Sequence, residues 1–440
     1  MPGIRQEKAL RDDANSSFGQ QSRDGVRDSS TLACMFSFAQ IAGSICVAAW
    51  LYLLLAHGRF WRVRSALSFA GHSQPPRMNE AREYSVAAVI PARNEADVIG
   101  RAIASLVRQR TDQLHIFVVD DNSSDATAEA ALAACAPSLR QAQGGLLSPS
   151  SGDSNRVTVI AGRPLPPLGW SGKLWAMQQG VERALQLNPD FLLLTDADIE
   201  HAPDSITQLV SIAEAGGYDL VSYMVKLHCR SLAEKLLIPA FVFFFFMLYP
   251  PEWVRDPRAR TAGAAGGCLL IRPAALERIG GIAAIRQEII DDCALARAVK
   301  RSGSKVWLGL APETRSVRPY RSFAAIERMI ARTAFNQLHH SFWLLLGTVL
   351  SMLLLYVLPV ALIVSGSPSL AFAGAFAYGL MTFSYLPMAR FYRLHPLWAL
   401  SLPLAAVFYT VATTDSAVKY WTGRGGEWKG RAQDVTASRK

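Results

Sequence analysis

Charged residues are scarce in this sequence. Asp, Glu, Lys and Arg make up 18% of its 440 residues, against about 25% in a typical soluble domain. Half of the residues are hydrophobic. At this length the chain has room for one large domain or two ordinary ones with a substantial core, which excludes a small scaffold held together by disulfides. The shortage of charge indicates contact with a membrane.

Several common sequence signals are also missing. The six cysteines show no C-x-x-C spacing, which argues against a zinc framework or a disulfide scaffold and suits a reducing compartment. The first predicted strand leads into "PARNEAD" instead of G-x-G-x-x-G, and no Walker motif is present, so dinucleotide-dependent dehydrogenases and ordinary P-loop enzymes are disfavoured. The net charge of +10 comes without a nucleic-acid-binding motif. Because the basic residues cluster beside apolar segments, we expect them to meet anionic lipid rather than nucleic acid.

A long apolar segment lies near the start of the chain. Residues 32–57 contain no Asp, Glu, Lys or Arg and exceed the ~20 residues that a helix needs to cross a bilayer. We interpret them as an uncleaved transmembrane anchor that follows a disordered tail at residues 1–31. Arg59, Arg62 and Arg64 come directly after the anchor, so the positive-inside rule places the next segment in the cytosol.

Three more apolar segments form a membrane region at residues 340–418, before a basic cytosolic tail at 419–440: they are residues 342–364, 370–388 and 396–414. The uncharged "SGSPS" separates the first two and the basic "RFYRLH" the last two. The positive-inside rule therefore predicts the former outside and the latter inside. A third full crossing would export the basic tail, against the same rule, so we favour a re-entrant or interfacial last segment.

A shorter apolar block, residues 236–251, is bounded by proline. It is too short to cross a bilayer comfortably. Two interpretations stay open, a helix lying in the membrane surface and a buried core helix.

Between residues 80 and 332, apolar runs typical of strands alternate with helical patterns, which predicts an α/β fold. The strand-like runs are "YSVAAVIP", "HIFVVDD", "VTVIAG" and "FLLLTDAD". They are apolar throughout rather than alternating, as expected for parallel strands covered on both faces.

Acidic residues cluster where these predicted strands end. Asp120 and Asp121 end the second strand-like run, and Asp196 and Asp198 end the fourth. Ligands of parallel α/β sheets bind beyond the carboxyl ends of the strands, and carboxylates gathered there repel each other unless a cation lies among them. Mg²⁺ is usually held by one or two carboxylates plus substrate phosphates. We therefore predict a divalent cation with a bound phosphate group, although acidic residues also commonly end strands and cap helices.

Four motifs, in this order and spacing, resemble those of a family 2 glycosyltransferase with the GT-A fold: "VIPARNEADVI", "VVDDNSSD", "TDAD" and "IIDDCALARAVKRSG". Three others, "GWSGKLWAMQQG", "YLPMARFYRLHP" and "GGEWKGR", resemble the membrane-bound branch associated with hopanoid biosynthesis. The resemblance implies a nucleotide-diphospho-sugar transferase domain with a mixed, mostly parallel sheet at residues 80–332. This domain would lie between an N-terminal anchor and a C-terminal helix bundle, on the cytosolic side of a bacterial inner membrane.

The resemblance also implies which residues hold the donor nucleotide. These are the first-strand turn, represented by Pro91, Arg93 and Glu95, and the pair Asp120 and Asp121. The nucleotide of the family's sugar donors is usually uridine, so we expect a UDP-sugar.

A second set of implied residues concerns catalysis. Asp196 and Asp198 resemble the ligands of a Mg²⁺ or Mn²⁺ ion that bridges to the donor diphosphate. Asp292 matches the family's general base, which takes the proton of the acceptor hydroxyl during direct displacement with inversion. Asp291 stands beside it where the family has Glu, so its supporting role is a weaker expectation.

Two basic residues complete the candidate site. Lys173 lies at a predicted loop-to-helix junction, where it is either a phosphate contact or an ordinary solvated lysine. Arg332 occupies the place of the family's Arg-Trp pair, but Thr333 replaces Trp. We predict that Arg332 contacts the diphosphate and that the enzyme is not processive.

These observations together predict a membrane-bound inverting glycosyltransferase that transfers a sugar to a lipid acceptor, such as a hopanoid or another isoprenoid. A domain anchored at both ends is well placed to reach the head group of a lipid. Two alternatives stay open: a metal-dependent phosphatase or nucleotidyl transferase using the same aspartates, and a non-catalytic relative that binds lipid or partners.

Overall fold

The computed structural model describes residues 37–62, 83–111, 113–142, 156–164, 169–423, 427–428 and 431–432. The predicted disordered tail at 1–31 lies outside the described residues, as does most of the predicted basic tail at 419–440.

An eight-stranded mixed sheet forms the centre of the fold, with the strand order β3-β2-β1-β4-β7-β6-β8-β5. The strands are β1 Val86–Ala92, β2 Leu114–Asp120, β3 Val157–Ala161, β4 Phe191–Thr195, β5 Ile199–Glu200, β6 Leu220–Lys226, β7 Cys268–Ile271 and β8 Val306–Ser316. β1 pairs in parallel with β2 and β4, and β2 with β3. β7 runs antiparallel between β4 and β6. The four predicted strands are confirmed, and so is their parallel arrangement.

Helices cover both faces of this sheet and extend from it at both ends of the chain. Their bounds are α1 Ser37–Leu55, α2 Ile99–Val107, α3 Thr127–Ala142, α4 Gly172–Leu185, α5 Ser205–Gly216, α6 Leu232–Leu248, α7 Pro251–Arg255, α8 Pro273–Arg278, α9 Asp291–Arg301, α10 Phe323–Ala331, α11 Ala334–Gln337, α12 Phe342–Met352, α13 Leu358–Ile363, α14 Pro368–Phe391 and α15 Leu402–Trp421. A π-helical segment, Leu353–Val357, joins α12 to α13, and the 3₁₀ segment Pro396–Ser401 leads into α15. A second 3₁₀ segment is Ile282–Ile285, and β9 Glu427–Trp428 pairs with β10 Arg431–Ala432.

Alternate residues of the central strands enter two different hydrophobic clusters. Along β1, Ala87 and Val89 belong to the cluster that includes α4, α6 and α9. Val86, Ala88 and Ile90 belong to the cluster that includes α2 and α5. Because side chains alternate between the two faces of a strand, a strand covered on both faces must be apolar at every position. This is why the strand runs showed no polar alternation. We call the part of the chain from β1 to α11 the sheet domain.

Among the residues that the structure describes, four helices are long and apolar enough to cross a membrane: Ser37–Leu55, Phe342–Ile363, Pro368–Phe391 and Pro396–Trp421. The first corresponds to the predicted anchor, and the other three lie in the predicted C-terminal membrane region. The GT-A-like mixed sheet, with apolar helices at both ends of the chain, confirms the predicted architecture.

The apolar block at residues 236–251 forms most of α6, and it is a buried helix rather than one lying in the membrane surface. Phe243 packs against Phe60 and Tyr385. Phe244 packs against Tyr356. A helix that is apolar on all sides must be enclosed on all sides. Here α6 is enclosed because it lies between the sheet and the membrane helices.

Glu234, in the first turn of α6, is a buried carboxylate that joins three segments. Its oxygens accept hydrogen bonds of 2.7–2.8 Å from four donors: the backbone N–H groups of Arg230, Ser231 and Tyr320, and Nδ1 of His228. Burial alone would raise the pKa of Glu234, but these hydrogen bonds lower it to about 2. The carboxylate therefore fixes the chain that follows β8 to the start of α6.

We expect Glu234→Gln to lower the free energy of unfolding by about 2 kcal/mol, because an amide cannot accept all four hydrogen bonds. The loss should be full at neutral pH. It should shrink as the pH falls from 4.5 towards 2, where the wild-type carboxylate also becomes protonated. Thermal denaturation in detergent would measure it, with the exposed Glu277→Gln as the control. Equal melting temperatures of the two variants would contradict the assignment.

Candidate active site

A cavity of about 510 Å³ opens where β4 and β6 end. The acidic and basic residues of its lining, which we call the charged wall, are Glu95, Lys173, Asp196, Asp198, Glu288, Asp291, Asp292, Arg318, Arg328 and Arg332. Five large apolar residues of the same lining, which we call the apolar wall, are Met224, Leu227, Phe241, Phe245 and Met329. The cavity therefore combines dense charge with an apolar surface, and α6 and α10 contribute to the apolar side.

Lys173 joins the end of β4 to the start of α9. Its Nζ lies 3.0 Å from Asp196 Oδ1 and 3.0 Å from Asp291 Oδ2. The residue lies in the first turn of α4, where the Ser171 side chain accepts a hydrogen bond from Leu174 N. Burial alone would lower the pKa of Lys173, but the two carboxylates raise it overall. The interpretation of Lys173 as an ordinary solvated lysine is wrong, because its charge is paired inside the cavity.

Asp292 is held by two backbone groups. Its Oδ2 accepts a hydrogen bond from Gly266 N and its Oδ1 one from Cys293 N, both 2.7 Å long. Gly266 permits this approach, since a Cβ there would lie 3.3 Å from Asp292 Oδ2. Burial, followed by the neighbouring charge of Asp291, raises the pKa of Asp292 to about 6. A fixed carboxylate with a pKa near neutrality suits a general base.

This pKa predicts how activity depends on pH. Because a general base works only when it is deprotonated, we expect the rate of a reaction in which Asp292 is the base to rise with pH through about 6 and then to level off. Asp291→Asn removes the like charge beside Asp292, so it should shift this rise to lower pH. The measurement is the pH profile of kcat/KM for both proteins. A rise at the same pH in both would contradict the electrostatic link between the two aspartates.

Asp198 lies in a second polar cluster within the same cavity. Its Oδ2 accepts a hydrogen bond of 2.6 Å from Ser316 Oγ and lies 3.4 Å from Arg318 Nε. Arg318 also forms an ion pair with Glu95. Arg318 thereby connects the turn after β1 to the turn after β4. Arg318 and Ser316 are not among the site residues predicted from the sequence, because no motif surrounds them. Only the position of β8 in the sheet brings them to this cavity.

The carboxylates of Asp196 and Asp198 suit two of the ligand positions around a metal ion. In the part of the chain that the structure describes, no group of three or more His, Cys, Asp or Glu residues could hold a metal ion. Burial, together with the nearby charges of Asp198 and Asp291, raises the pKa of Asp196 despite Lys173. Lys173 and Arg318 already face these two carboxylates, so a bound cation would share them with these basic side chains. Two carboxylates match the usual protein share of a Mg²⁺ site, in which substrate phosphates and water supply the remaining oxygens.

The structure brings most of the predicted site residues together, but not all of them. Eight line the cavity: Pro91, Glu95, Lys173, Asp196, Asp198, Asp291, Asp292 and Arg332. Arg93, Asp120 and Asp121 lie outside its lining, at the ends of β1 and β2. Arg93 donates a hydrogen bond of 2.6 Å to the backbone oxygen of Asp121, and Asp120 binds Ser123.

Residues 87–280 match the model of the glycosyl transferase family 2. This segment, 194 of the 440 residues, contains Lys173, Asp196 and Asp198, whereas Asp291, Asp292 and Arg332 follow it in the sequence. The resemblance to that family is therefore confirmed for the domain, whereas the hopanoid-associated branch stays a hypothesis.

Two curated proteins are similar to parts of this chain. An uncharacterized protein of Methanocaldococcus jannaschii is 27% identical over 147 residues, which cover 33% of this chain and 49% of that protein. The undecaprenyl-phosphate 4-deoxy-4-formamido-L-arabinose transferase of Yersinia enterocolitica is 29% identical over 162 residues, 36% of this chain and 42% of that protein. The chain thus spans less than half the length of these relatives. Among solved structures, a mannosyltransferase from Pyrobaculum calidifontis in complex with GDP-Man and Mn²⁺ is 17% identical with a TM-score of 0.49, covering 85% of this chain and 99% of that one.

Proposed function

We propose that this protein is a membrane-bound inverting glycosyltransferase, with its catalytic domain at residues 80–332 in the cytosol of a bacterium and its helices in the inner membrane. It transfers a sugar from a nucleotide-diphosphate donor, a UDP-sugar, to a lipid. One observation carries this proposal. The fixed carboxylate of Asp292 shares a cavity with Asp196 and Asp198, and the same cavity has an apolar wall.

The donor would bind at the charged wall. Asp196 and Asp198 would hold Mg²⁺ or Mn²⁺ together with the donor diphosphate. A bound cation would stabilise the negative charge that develops on the leaving nucleotide. Pro91 and Glu95 line the cavity on the side of β1, next to the cluster of Arg93, Asp120 and Asp121, and we assign this region to the nucleotide.

Asp292 would act as the general base. It takes the proton of the acceptor hydroxyl while that oxygen attacks the anomeric carbon, and the bond from this carbon to the diphosphate breaks. Attack from the face opposite the leaving group inverts the configuration in one step. The ammonium group of Lys173 contacts the carboxylates of both Asp291 and Asp196. Lys173 thereby holds these two side chains in place in the cavity.

The basic side chains of the charged wall suit the leaving diphosphate. Arg328 lies on α10, and Arg332 lies four residues later, directly after the helix. Both arginines line the cavity. Guanidinium groups bind phosphate oxygens through paired hydrogen bonds. We therefore assign Arg332 to the diphosphate, as the sequence predicted.

A lipid acceptor is supported by the apolar wall. Phe241 and Phe245 come from α6, and Met329 from α10, and both helices pack against the apolar C-terminal helix α15. An acceptor that reaches the cavity along this wall would keep its tail on apolar surface. The transferase from Yersinia, by its name, acts on undecaprenyl phosphate, which supports an isoprenoid acceptor. A hopanoid belongs to the same chemical class.

The proposal is tested by incubating membranes that contain the protein with a panel of nucleotide sugars and analysing their lipids by mass spectrometry. We expect one lipid to gain the mass of one sugar residue, and membranes with Asp292→Asn to lack that product. Release of phosphate from simple phosphate esters without any acceptor would instead indicate a phosphatase and would overturn the proposal.

A further inference from the structure

The last apolar helix and the residues just before it form hydrogen bonds with the sheet domain at three places. The first lies just before the helix, the second in its middle and the third near its end. Just before it, the backbone oxygen of Phe391 accepts a hydrogen bond of 3.0 Å from Lys226 Nζ, at the end of β6. In its middle, Tyr409 OH donates to the backbone oxygen of Leu237 in α6, at 3.0 Å. Near its end, Ser416 Oγ accepts a hydrogen bond of 3.1 Å from Phe335 N in α11.

The C-terminal end of α15 also carries charge. Lys419 Nζ lies 3.0 Å from Glu327 Oε1 of α10 and 2.5 Å from Asp415 Oδ2. Three charged side chains are costly in hydrocarbon, so this end lies near water. The water is on the side of the cavity, because α10 also contributes Arg328 to the charged wall.

The other candidate spans pack against one another. Leu362 of α13 and Ala373 of α14 lie within 4 Å of the position that a Cβ at Gly43 of α1 would occupy, so these three helices meet near the turn at residues 364–367. The segment Pro396–Trp421 is 26 residues long, about 39 Å at 1.5 Å per residue. A crossing of that length would leave one end roughly a bilayer away from the sheet domain. Both of its ends are instead close to that domain.

We infer that Pro396–Trp421 does not cross the membrane: it lies along the leaflet on the side of the sheet domain, with both of its ends on that side. Thr422 and Gly423, directly after it, therefore lie in the same compartment as the cavity. Among the helices that the structure describes, three crossings remain, formed by α1, by α12 with α13, and by α14. This inference concerns topology and does not depend on which reaction the cavity performs.

The outer face of α15 indicates what it contacts. Four of its exposed residues are apolar and recur at helical spacing: Leu404, Val407, Val411 and Val418. Thr414 is also exposed on this helix, and its hydroxyl donates a hydrogen bond of 2.9 Å to the backbone oxygen of Thr410. The opposite face, including Ala405, Tyr409 and Ala412, is buried against the protein. The exposed surface continues onto α12, where Trp343 and Leu350 are also exposed. The occupant of this surface is the acyl-chain layer of the leaflet on the cavity side.

Such a helix would hold the cavity at the lipid surface. α15 packs along α10, and α10 contributes Met329 to the apolar wall. The topology also agrees with the charge pattern, because the basic segment around Arg390 and Arg393 and the basic tail fall on the same side. The conflict that three C-terminal crossings create is thereby removed.

Cysteine labelling with a membrane-impermeant maleimide tests the inference on the full-length protein in sealed vesicles. Three exposed positions serve as probes: Glu277→Cys in the sheet domain, Ser365→Cys in the turn before α14, and Thr422→Cys after α15. The wild-type protein measures background from native cysteines. We expect Thr422→Cys to label together with Glu277→Cys, and Ser365→Cys to label only from the opposite side.

Labelling of Thr422→Cys from the side opposite to Glu277→Cys would overturn the inference, because α15 would then cross. A second measurement covers the case in which a cysteine variant folds poorly. A protease-sensitive tag fused after Lys440 should be digested only in vesicles whose orientation exposes the sheet domain. Digestion in vesicles of the opposite orientation would likewise overturn the inference.

Discussion

Asp292→Asn is expected to lower the rate of sugar transfer by about 10²–10⁴-fold, the usual contribution of a positioned general base. Asn keeps the size of the side chain but cannot accept a proton at neutral pH. It also loses one of the two backbone hydrogen bonds, since its NH₂ group would face either Gly266 N or Cys293 N. Donor binding should stay measurable, because Asp196 and Asp198 are unchanged. Turnover with excess donor and acceptor gives the rate, and calorimetric titration gives the donor affinity.

Two control variants separate the chemistry from the fold. Asp219→Asn removes a carboxylate that accepts a backbone hydrogen bond from Lys305 N at 3.0 Å, but Asp219 is not among the residues that line the cavity. It should keep nearly full activity. Asp291→Asn removes the partner of Lys173 and leaves the base, so we expect a smaller loss than for Asp292→Asn. Unchanged turnover in Asp292→Asn would exclude Asp292 as the base.

The core of the sheet domain could be predicted because its signals are local. β1, β2, β3 and β4 are short apolar runs. The first three are each followed by a helix, and β4 is followed by the two-residue β5 and then by α5. The insertion of β7 antiparallel between β4 and β6 could not be predicted. It depends on which strands pair across more than forty residues, and the apolar sequence of β7 suits either direction. The same holds for α6, whose apolar residues suit a membrane surface as well as a core.

The candidate site shows the same limit. The sequence placed Asp196 and Asp198 correctly after a strand, but it could not show that Lys173 would lie 3.0 Å from Asp196 and from Asp291. That contact depends on how α4 and α9 pack. Asp120 also ends a strand as predicted. Its side chain nevertheless binds Ser123, because the order of the strands places β2 beyond β1 from the cavity.

Asp198→Ala is expected to weaken donor binding at least tenfold in the presence of Mg²⁺ or Mn²⁺, a loss of the size seen when groups that support a metal site are removed. Without a metal, the variant should bind the donor at least as tightly as the wild type, because a negative charge beside the diphosphate is removed. The physical reason is that Asp198 is one of only two carboxylates that we assign to the cation, so substrate and water would have to supply another ligand. Calorimetric titration of the donor with and without metal, for both proteins, measures this difference.

The neighbours of Asp198 complicate that experiment, and they also supply its controls. Asp198 lies 3.4 Å from Arg318, so its removal leaves Arg318 with more positive charge to offer the diphosphate, and this would partly offset the loss. Ser316→Ala removes the 2.6 Å hydrogen bond to Asp198 but keeps the carboxylate. It should therefore reduce metal-dependent binding less than Asp198→Ala. Asp204→Ala removes an exposed carboxylate paired with Arg110 and should have no effect. If Asp198→Ala binds the donor as the wild type does at every metal concentration, Asp198 does not hold a cation, and the basic side chains of the cavity, such as Arg318 and Arg332, would have to stabilise the diphosphate.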